Sequence, residues 1–173
     1  MIEKKKKIEP ATGQLLSVPM LDGSLGLAQV AFANKIDKKT YAVALAFFPI
    51  KAETVDELLK KTKFENLKLP FAIVTPSSTP IEDGEVNLIG AAGVEYENVD
   101  VSSRLKGAYQ WFDGRQRPWR FIFDMYYGLY PWDAFHNKNW MDELLLAGHD
   151  KPLTARLKKD FSLEELEKLG LHI

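Results

Sequence analysis

The sequence predicts a mixed α+β fold in which short helices lie around a twisted antiparallel sheet. Three apolar segments separated by turn residues, at 15–20, 25–32 and 41–48, indicate consecutive strands. Two capping-box sequences indicate helices, one after these strands and one near the carboxyl terminus. We therefore expect one α+β domain over residues 1–173, with its sheet either open or closed into an SH3-like partial barrel.

The bulk composition limits the classes of protein to consider. The chain has 173 residues, of which 46% are hydrophobic and 27% are charged, as in an ordinary folded domain. It has no cysteine, which excludes thiolate ligands and favours a reducing compartment such as the cytoplasm. No apolar stretch follows the lysines at 4–7, so we expect residues 1–10 to be a frayed basic terminus rather than a signal peptide. No apolar run is long enough to predict a membrane span.

The first three strands are predicted to form a meander. Asp22 and Gly23 separate the first two strands, and this pair is typical of tight hairpins because glycine tolerates a positive φ. The segment from Tyr41 to Phe48 is almost wholly apolar, which indicates a strand buried on both faces. Pro49 has no amide hydrogen for a ladder, so we expect the strand to end there.

The elements predicted beyond the meander are shorter. Thr54 and Glu57 form a capping box that begins a helix, and this helix is expected to end near Thr62. A further short helix is predicted at 140–146. Short strands are predicted at 71–74, 86–89, 94–96 and 119–125.

The last helix has the clearest local signals. Ser162 and Glu165 form its capping box, and Phe161 and Leu166 stand where a hydrophobic staple joins residues across a helix start. Gly170 lies where a left-handed residue closes a helix. A short helix over about 163–169 is therefore expected.

Acidic side chains are concentrated in one part of a chain whose net charge is only −1. No lysine or arginine lies between Lys68 and Arg104. A segment of one sign creates a local field that favours a basic partner surface, although separate solvated charges would give the same composition. The near-neutral total charge disfavours a nucleic-acid binder. The acidic residues of this segment are Glu82, Asp83, Glu85, Glu95, Glu97 and Asp100.

Aromatic residues are concentrated in 109–140, which holds twelve of the twenty in the chain and all four tryptophans. Many large rings indicate either a core that closes late in the chain or an exposed contact patch. Within this region, Arg115 to Arg120 alternates basic residues with Trp119. Such a loop can stack on nucleobases, anchor a protein interface, or pack one tryptophan into the core.

No complete catalytic motif is present: the chain lacks a nucleophile elbow, a phosphate loop and a dinucleotide fingerprint. Asp124 stands between Phe123 and Met125, and an acid in an apolar run needs a partner. Asp124 is therefore either one partner of a structural salt bridge or a catalytic acid. The candidate salt-bridge partners are Arg104, Arg115, Arg117 and Arg120.

The histidines give no local pair at metal-ligand spacing. Asp133, His136 and Asp142 are candidates to converge around a metal, and the simpler interpretation places His136 in a hydrogen bond beside the aromatic cluster. We therefore expect no cofactor and no metal. Two alternatives to a non-enzymatic binding protein stay open. One is a small hydrolase or transferase that uses Asp124 or His136, and the other is an RNA-binding module that uses 115–120.

The first strands also carry a family resemblance. The pattern Gly13, apolar strand, Pro19, Leu21, Asp22-Gly23, followed by strands at 25–32 and 41–48 and by Val86 to Gly90, resembles the immunity protein 26 family of bacterial polymorphic toxin systems. The resemblance covers about 13–95. It implies a cytoplasmic antitoxin that blocks one cognate toxin by tight binding, and the acidic segment implies that this toxin is basic.

The sequence thus predicts a non-enzymatic immunity protein that neutralises a cognate, basic toxin domain by direct binding. It would meet neither a membrane nor nucleic acid. The predicted partner-binding residues are Glu82, Asp83, Glu85, Glu95, Tyr96, Glu97, Asp100, Arg117 and Trp119.

Overall fold

The computed structural model describes residues 8–35, 41–74, 81, 84–96, 99 and 118–171. Five strands form one antiparallel sheet in the order β4-β3-β2-β1-β5, and short helices surround it, so the α+β prediction is confirmed. The strands are β1 (Gln14–Pro19), β2 (Leu25–Lys35), β3 (Tyr41–Ala52), β4 (Ala72–Val74) and β5 (Asn87–Ala91). The helices are α1 (Val55–Lys61), α2 (Ile122–Tyr126), α3 (Trp140–Leu144) and α4 (Leu163–Lys168), with 3-10 turns at Phe64–Leu67, Pro118–Phe121 and Lys158–Asp160.

The sheet is covered on both faces. Alternate strand residues divide between two cores, so that Leu16 belongs to the first core and its neighbour Leu15 to the second. The aromatic second half of the chain packs on the first core, and α1 packs on the second through Leu58. Every side chain from 43 to 48 in β3 is buried, which confirms a strand enclosed on both faces.

Pro49 does not end β3, so that prediction is wrong. Phe47 lies opposite Ala28 and Lys51 lies opposite Gly26, which leaves extra residues of β3 in a bulge. Pro49 is exposed within this bulge, and β4 pairs with β3 only over 45–47. The missing amide hydrogen therefore costs no regular ladder bond.

The segment 119–125 is helical, so the predicted strand is wrong. A 3-10 turn leads directly into α2, which buries Ile122, Phe123 and Met125. Aromatic and β-branched residues favour strands only where the surroundings are a sheet, and here packing on the first core decides. The segment 94–96 also forms no strand.

The capping box at Ser162 forms as predicted, whereas the one at Thr54 forms only in part, because Oε2 of Glu57 accepts the backbone N–H of Glu53 instead of that of Thr54. Thr54 accepts a hydrogen bond from the backbone N–H of Glu57 at 3.2 Å, and α1 ends at Lys61. Ser162 N–H donates to Oε2 of Glu165 at 2.6 Å, and the hydroxyl of Ser162 accepts from Glu165 N–H. Gly170 has a φ of +69° and closes α4, as its position indicated. α3 also agrees with the predicted helix at 140–146.

The amino-terminal segment differs from the expected frayed end over residues 8–10. Pro10 is buried, Ile8 packs against the first core, and the side-chain amide of Gln14 donates to the carbonyl of Glu9 at 3.0 Å. These contacts fix the chain just before β1. Residues 1–7 lie outside the described ranges.

The contact between Gly26 and Phe123 seats α2 on the sheet. A methyl group on Gly26 would lie 2.5 Å from Cδ2 of Phe123. The ring of Phe123 in turn lies between Phe47 and Phe71, with centroid distances of 5.1 and 5.9 Å. Only a glycine at 26 leaves room for this ring.

Substitution of Gly26 with alanine is expected to lower the free energy of unfolding by about 1–3 kcal/mol, because the added methyl group overpacks the core. Urea unfolding monitored by circular dichroism measures the change. Gly93→Ala is the matched control, since a methyl group there meets no atom within 4 Å. Equal effects of the two substitutions would contradict the proposed close packing of Phe123 in α2 against Gly26.

Candidate functional site

Four of the nine predicted partner-binding residues fall within the described ranges. Glu85, Glu95, Tyr96 and Trp119 are placed, and the other five lie outside: Glu82, Asp83, Glu97, Asp100 and Arg117. The structure therefore tests the grouping of the acidic segment only around β5.

Glu85 and Glu95 lie at opposite ends of β5, the strand at one edge of the sheet. Glu95 is exposed, whereas Glu85 is half-buried with its Oε2 3.9 Å from Nη1 of Arg120. β5 pairs with β1, and no strand of the described part pairs with its other edge. Leu88, the second residue of β5, is 42% exposed. The edge thus offers backbone groups and one apolar side chain between two carboxylates.

Tyr96 holds the segment after β5 against the sheet. Its hydroxyl donates to Oε1 of Gln29 at 2.9 Å, and the ring packs edge-on against Phe48 at 6.0 Å. Burial raises the pKa of Tyr96. Gln29 is fully buried in β2, and its amide donates to the carbonyl of Ala92 at 3.0 Å. Tyr96 therefore positions Glu95, and the polar Gln29 within an apolar strand was the sequence signal for this anchor.

The prediction that Trp119 lies on the contact surface is wrong. Its side chain is 3% exposed and belongs to the first core, so it offers no surface to a partner. Phe123, Tyr130 and Trp132 are buried in the same core. Of the two interpretations of the aromatic region, the described residues support a core that closes late in the chain.

Asp124 is buried beneath the β1–β2 hairpin, with 2% of its surface exposed. Its Oδ1 accepts the backbone N–H of Leu21 at 2.8 Å. Burial raises the pKa of Asp124 to about 6 although the bond from Leu21 opposes this rise, and the charge of Asp22 raises the pKa further. The predicted arginine bridge is not formed by Arg120, which lies beside Glu85; the other three candidate arginines, at 104, 115 and 117, lie outside the described ranges.

The neighbouring Asp22 joins the hairpin to β3 through Lys51. Lys51 donates to its Oδ2 at 2.6 Å, and Ser24 donates to its Oδ1 through both hydroxyl and backbone N–H. Burial raises the pKa of Asp22, but the bonds from Lys51 and Ser24 outweigh burial and leave it below its ordinary value. The ammonium of Lys51 also lies 5.3 Å from the ring centroid of Tyr127. These contacts favour a structural role for the buried Asp124 and the exposed Asp22.

The candidate metal ligands are engaged in other contacts. Asp142 accepts the indole N–H of Trp132 at 3.0 Å, and Asp133 accepts the backbone N–H of Lys158 at 2.6 Å. His136 is exposed. Within the ranges that the structure describes, no three histidine or carboxylate side chains are grouped as a metal site requires.

A cleft of about 630 Å³ that the sequence did not reveal lies between the loop at 133–138 and the turn at 158–161. Basic and aromatic side chains line it together. The principal ones are Phe135, His136, Lys138, Lys158, Lys159 and Phe161. The adjacent Lys158 and Lys159 before Phe161 are the local signal for this cleft in the sequence, but their partner loop is distant in the chain.

Comparison with known proteins adds no relationship: no protein-family model matches the chain, and no curated protein or solved structure is significantly similar to it. The resemblance to the immunity protein family therefore stays a prediction. Among the described residues, no helix has both the length and the apolar character needed to cross a bilayer.

The raised pKa of Asp124 predicts a distinct pH dependence. An unfolded aspartate titrates near 3.9, so between about 4 and 6 the folded chain binds more protons and the free energy of unfolding falls as pH rises. Asp124→Asn keeps an acceptor for Leu21 N–H without the charge. We expect it to raise the free energy of unfolding by about 1–3 kcal/mol at pH 7.5 and to change it little at pH 4.

Urea unfolding of both proteins across pH 4–8 measures this difference and cancels the titration of groups that both share. Glu167→Gln, at an exposed position on α4, is the control and should show no such trend. A constant difference at all pH values, or a less stable Asp124→Asn protein at pH 7.5, would show that Asp124 is better stabilised as a carboxylate than its burial implies.

Proposed function

We propose that this chain is a non-enzymatic immunity protein of the bacterial cytoplasm, which neutralises a cognate toxin domain by direct binding. The observation that supports this proposal is the exposed edge of β5 between Glu85 and Glu95. This edge lies in the segment between Lys68 and Arg104, which contains no lysine or arginine.

The edge of β5 suits a partner that adds an extended segment. An unpaired strand edge presents backbone N–H and carbonyl groups that a second chain can use, and lysine and proline are two of the residues that protect such edges. β5 contains neither, because its sequence is Asn-Leu-Ile-Gly-Ala. Leu88 would supply apolar contact area at the centre of such an interface.

The charges around β5 indicate the sign of the partner. Glu95 is exposed, and no lysine or arginine lies between Lys68 and Arg104 in the sequence around β5. Complementary charge across an interface mainly accelerates association and excludes wrong partners. A basic toxin surface is therefore the expected occupant.

The position of Asp124 supports binding over the alternative of a hydrolase or transferase. Its carboxyl group is 2% exposed and holds the N–H of Leu21, so an approaching substrate would have to displace the hairpin. The other candidate for catalysis, His136, is exposed in the cleft rather than beside the acid that lies under the hairpin.

Two charge substitutions test the proposal with the product of the gene directly upstream of this chain's own gene, which the proposal expects to encode the toxin domain. Leu88→Lys and Glu95→Lys each place a cation on the proposed interface. We expect the Kd for the purified toxin domain to rise about tenfold or more, because like charges in an interface cost several kcal/mol. Surface plasmon resonance gives the rates, and slower association is expected for Glu95→Lys.

Glu167→Lys is the control, because it makes the same charge change at an exposed position on α4. It should leave the Kd unchanged, and cells that express the toxin should grow with this variant but not with Leu88→Lys. An upstream gene that encodes no toxin, or a complex whose Kd ignores both β5 substitutions, would overturn the proposal.

A further inference from the structure

The cleft between 133–138 and 158–161 has the size and charge of an anion-binding site. Its volume of about 630 Å³ lies within the roughly 300–1,000 Å³ typical of small-molecule pockets. The lysine and carboxylate side chains that line it are Lys138, Lys158, Lys159 and Asp133. Their formal charges, three positive and one negative, sum to +2. This is opposite in sign to the charge of −1 on the whole chain.

The carboxylates near the cleft are engaged by the protein itself. Asp133 accepts the backbone N–H of Lys158 at 2.6 Å, and Asp160 accepts that of Leu157 at 2.8 Å. Neither Lys138 nor Lys159 forms an ion pair with any described residue. The charges of Lys138 and Lys159 are therefore available to a ligand.

The wall formed by the 158–161 turn is fixed before any ligand arrives. Glu165 accepts Ser162 N–H at 2.6 Å and binds both terminal nitrogens of Arg156 at 3.1 Å. The Ser162 and Arg156 bonds lower the pKa of Glu165 to about 2. The guanidinium of Arg156 also lies 3.7 Å from the ring centroid of Phe161. A pre-organised wall reduces the entropy lost on binding.

Aromatic surface lies beside the lysines. Phe135 and Phe161 both line the cleft, and Phe135 is held edge-on by Trp140 at 4.9 Å. Lysine is a common phosphate ligand, and a flat base can stack on an aromatic ring. We propose that the cleft binds a mononucleotide, with its phosphate groups on Lys138 and Lys159 and its base against Phe135.

Titration calorimetry with ADP tests the proposal on the whole chain at low ionic strength. Replacement of Lys138 and Lys159 together by alanine should raise the Kd for ADP about tenfold or more, because each removes a charge-assisted contact. The control is Lys60→Ala with Lys63→Ala, which removes two exposed lysines in and just after α1 and should leave the Kd unchanged. No heat of binding at millimolar ADP, or equal Kd values for both double variants, would overturn the proposal.

Pyrophosphate distinguishes the phosphate contacts from the base contact. Phe135→Leu should weaken ADP about tenfold while it leaves pyrophosphate unchanged, since only the nucleotide has a ring to stack. Urea unfolding of this variant verifies that the cleft is intact. Equal Kd values of ADP and pyrophosphate for the parent chain would overturn the assignment to a nucleotide. Much tighter binding of a single-stranded oligonucleotide through the same lysines would do so as well.

Discussion

The packing of α2 against the β1–β2 hairpin is the constraint on which the rest of the structure depends. The ring of Phe123 enters the space left by Gly26, and the next residue, Asp124, holds the N–H of Leu21 at 2.8 Å. Together they fix the aromatic second half of the chain to the first core. The sheet could not bury this face alone, because its strands supply only one layer of side chains.

This arrangement has an electrostatic cost that the surrounding contacts only partly offset. A carboxyl group removed from water favours its neutral form, and the charge of Asp22 close by adds to this preference for Asp124. Lys51 acts in the opposite sense and ties Asp22 to β3. The junction between the halves is therefore held by packing and by hydrogen bonds, such as Leu21 N–H to Asp124 and Leu146 N–H to the carbonyl of Phe71, rather than by a strong ion pair.

The sequence was sufficient where the deciding signals are local. The meander, α1 and α4 follow from Asp22-Gly23, from the apolar run of β3 and from the N-cap residues Thr54 and Ser162. The sequence was insufficient where contacts with residues distant in the chain determine the local structure. The bulge that accommodates Pro49 depends on β2, and the helical spacing of Trp119, Ile122 and Phe123 was masked by residue types that favour strands. The cleft joins two segments distant in the chain, so no single stretch could reveal it.

The placement of the tryptophans lets fluorescence and circular dichroism report different events in unfolding. All four tryptophans lie in 109–140, and Trp119 and Trp132 are buried in the first core. Intrinsic fluorescence thus reports the docking of the second half, whereas far-ultraviolet circular dichroism is dominated by the sheet and helices. Coincident transitions of the two signals would mean that the halves unfold as one cooperative unit, and a fluorescence change at lower denaturant would reveal an undocked intermediate that retains its sheet.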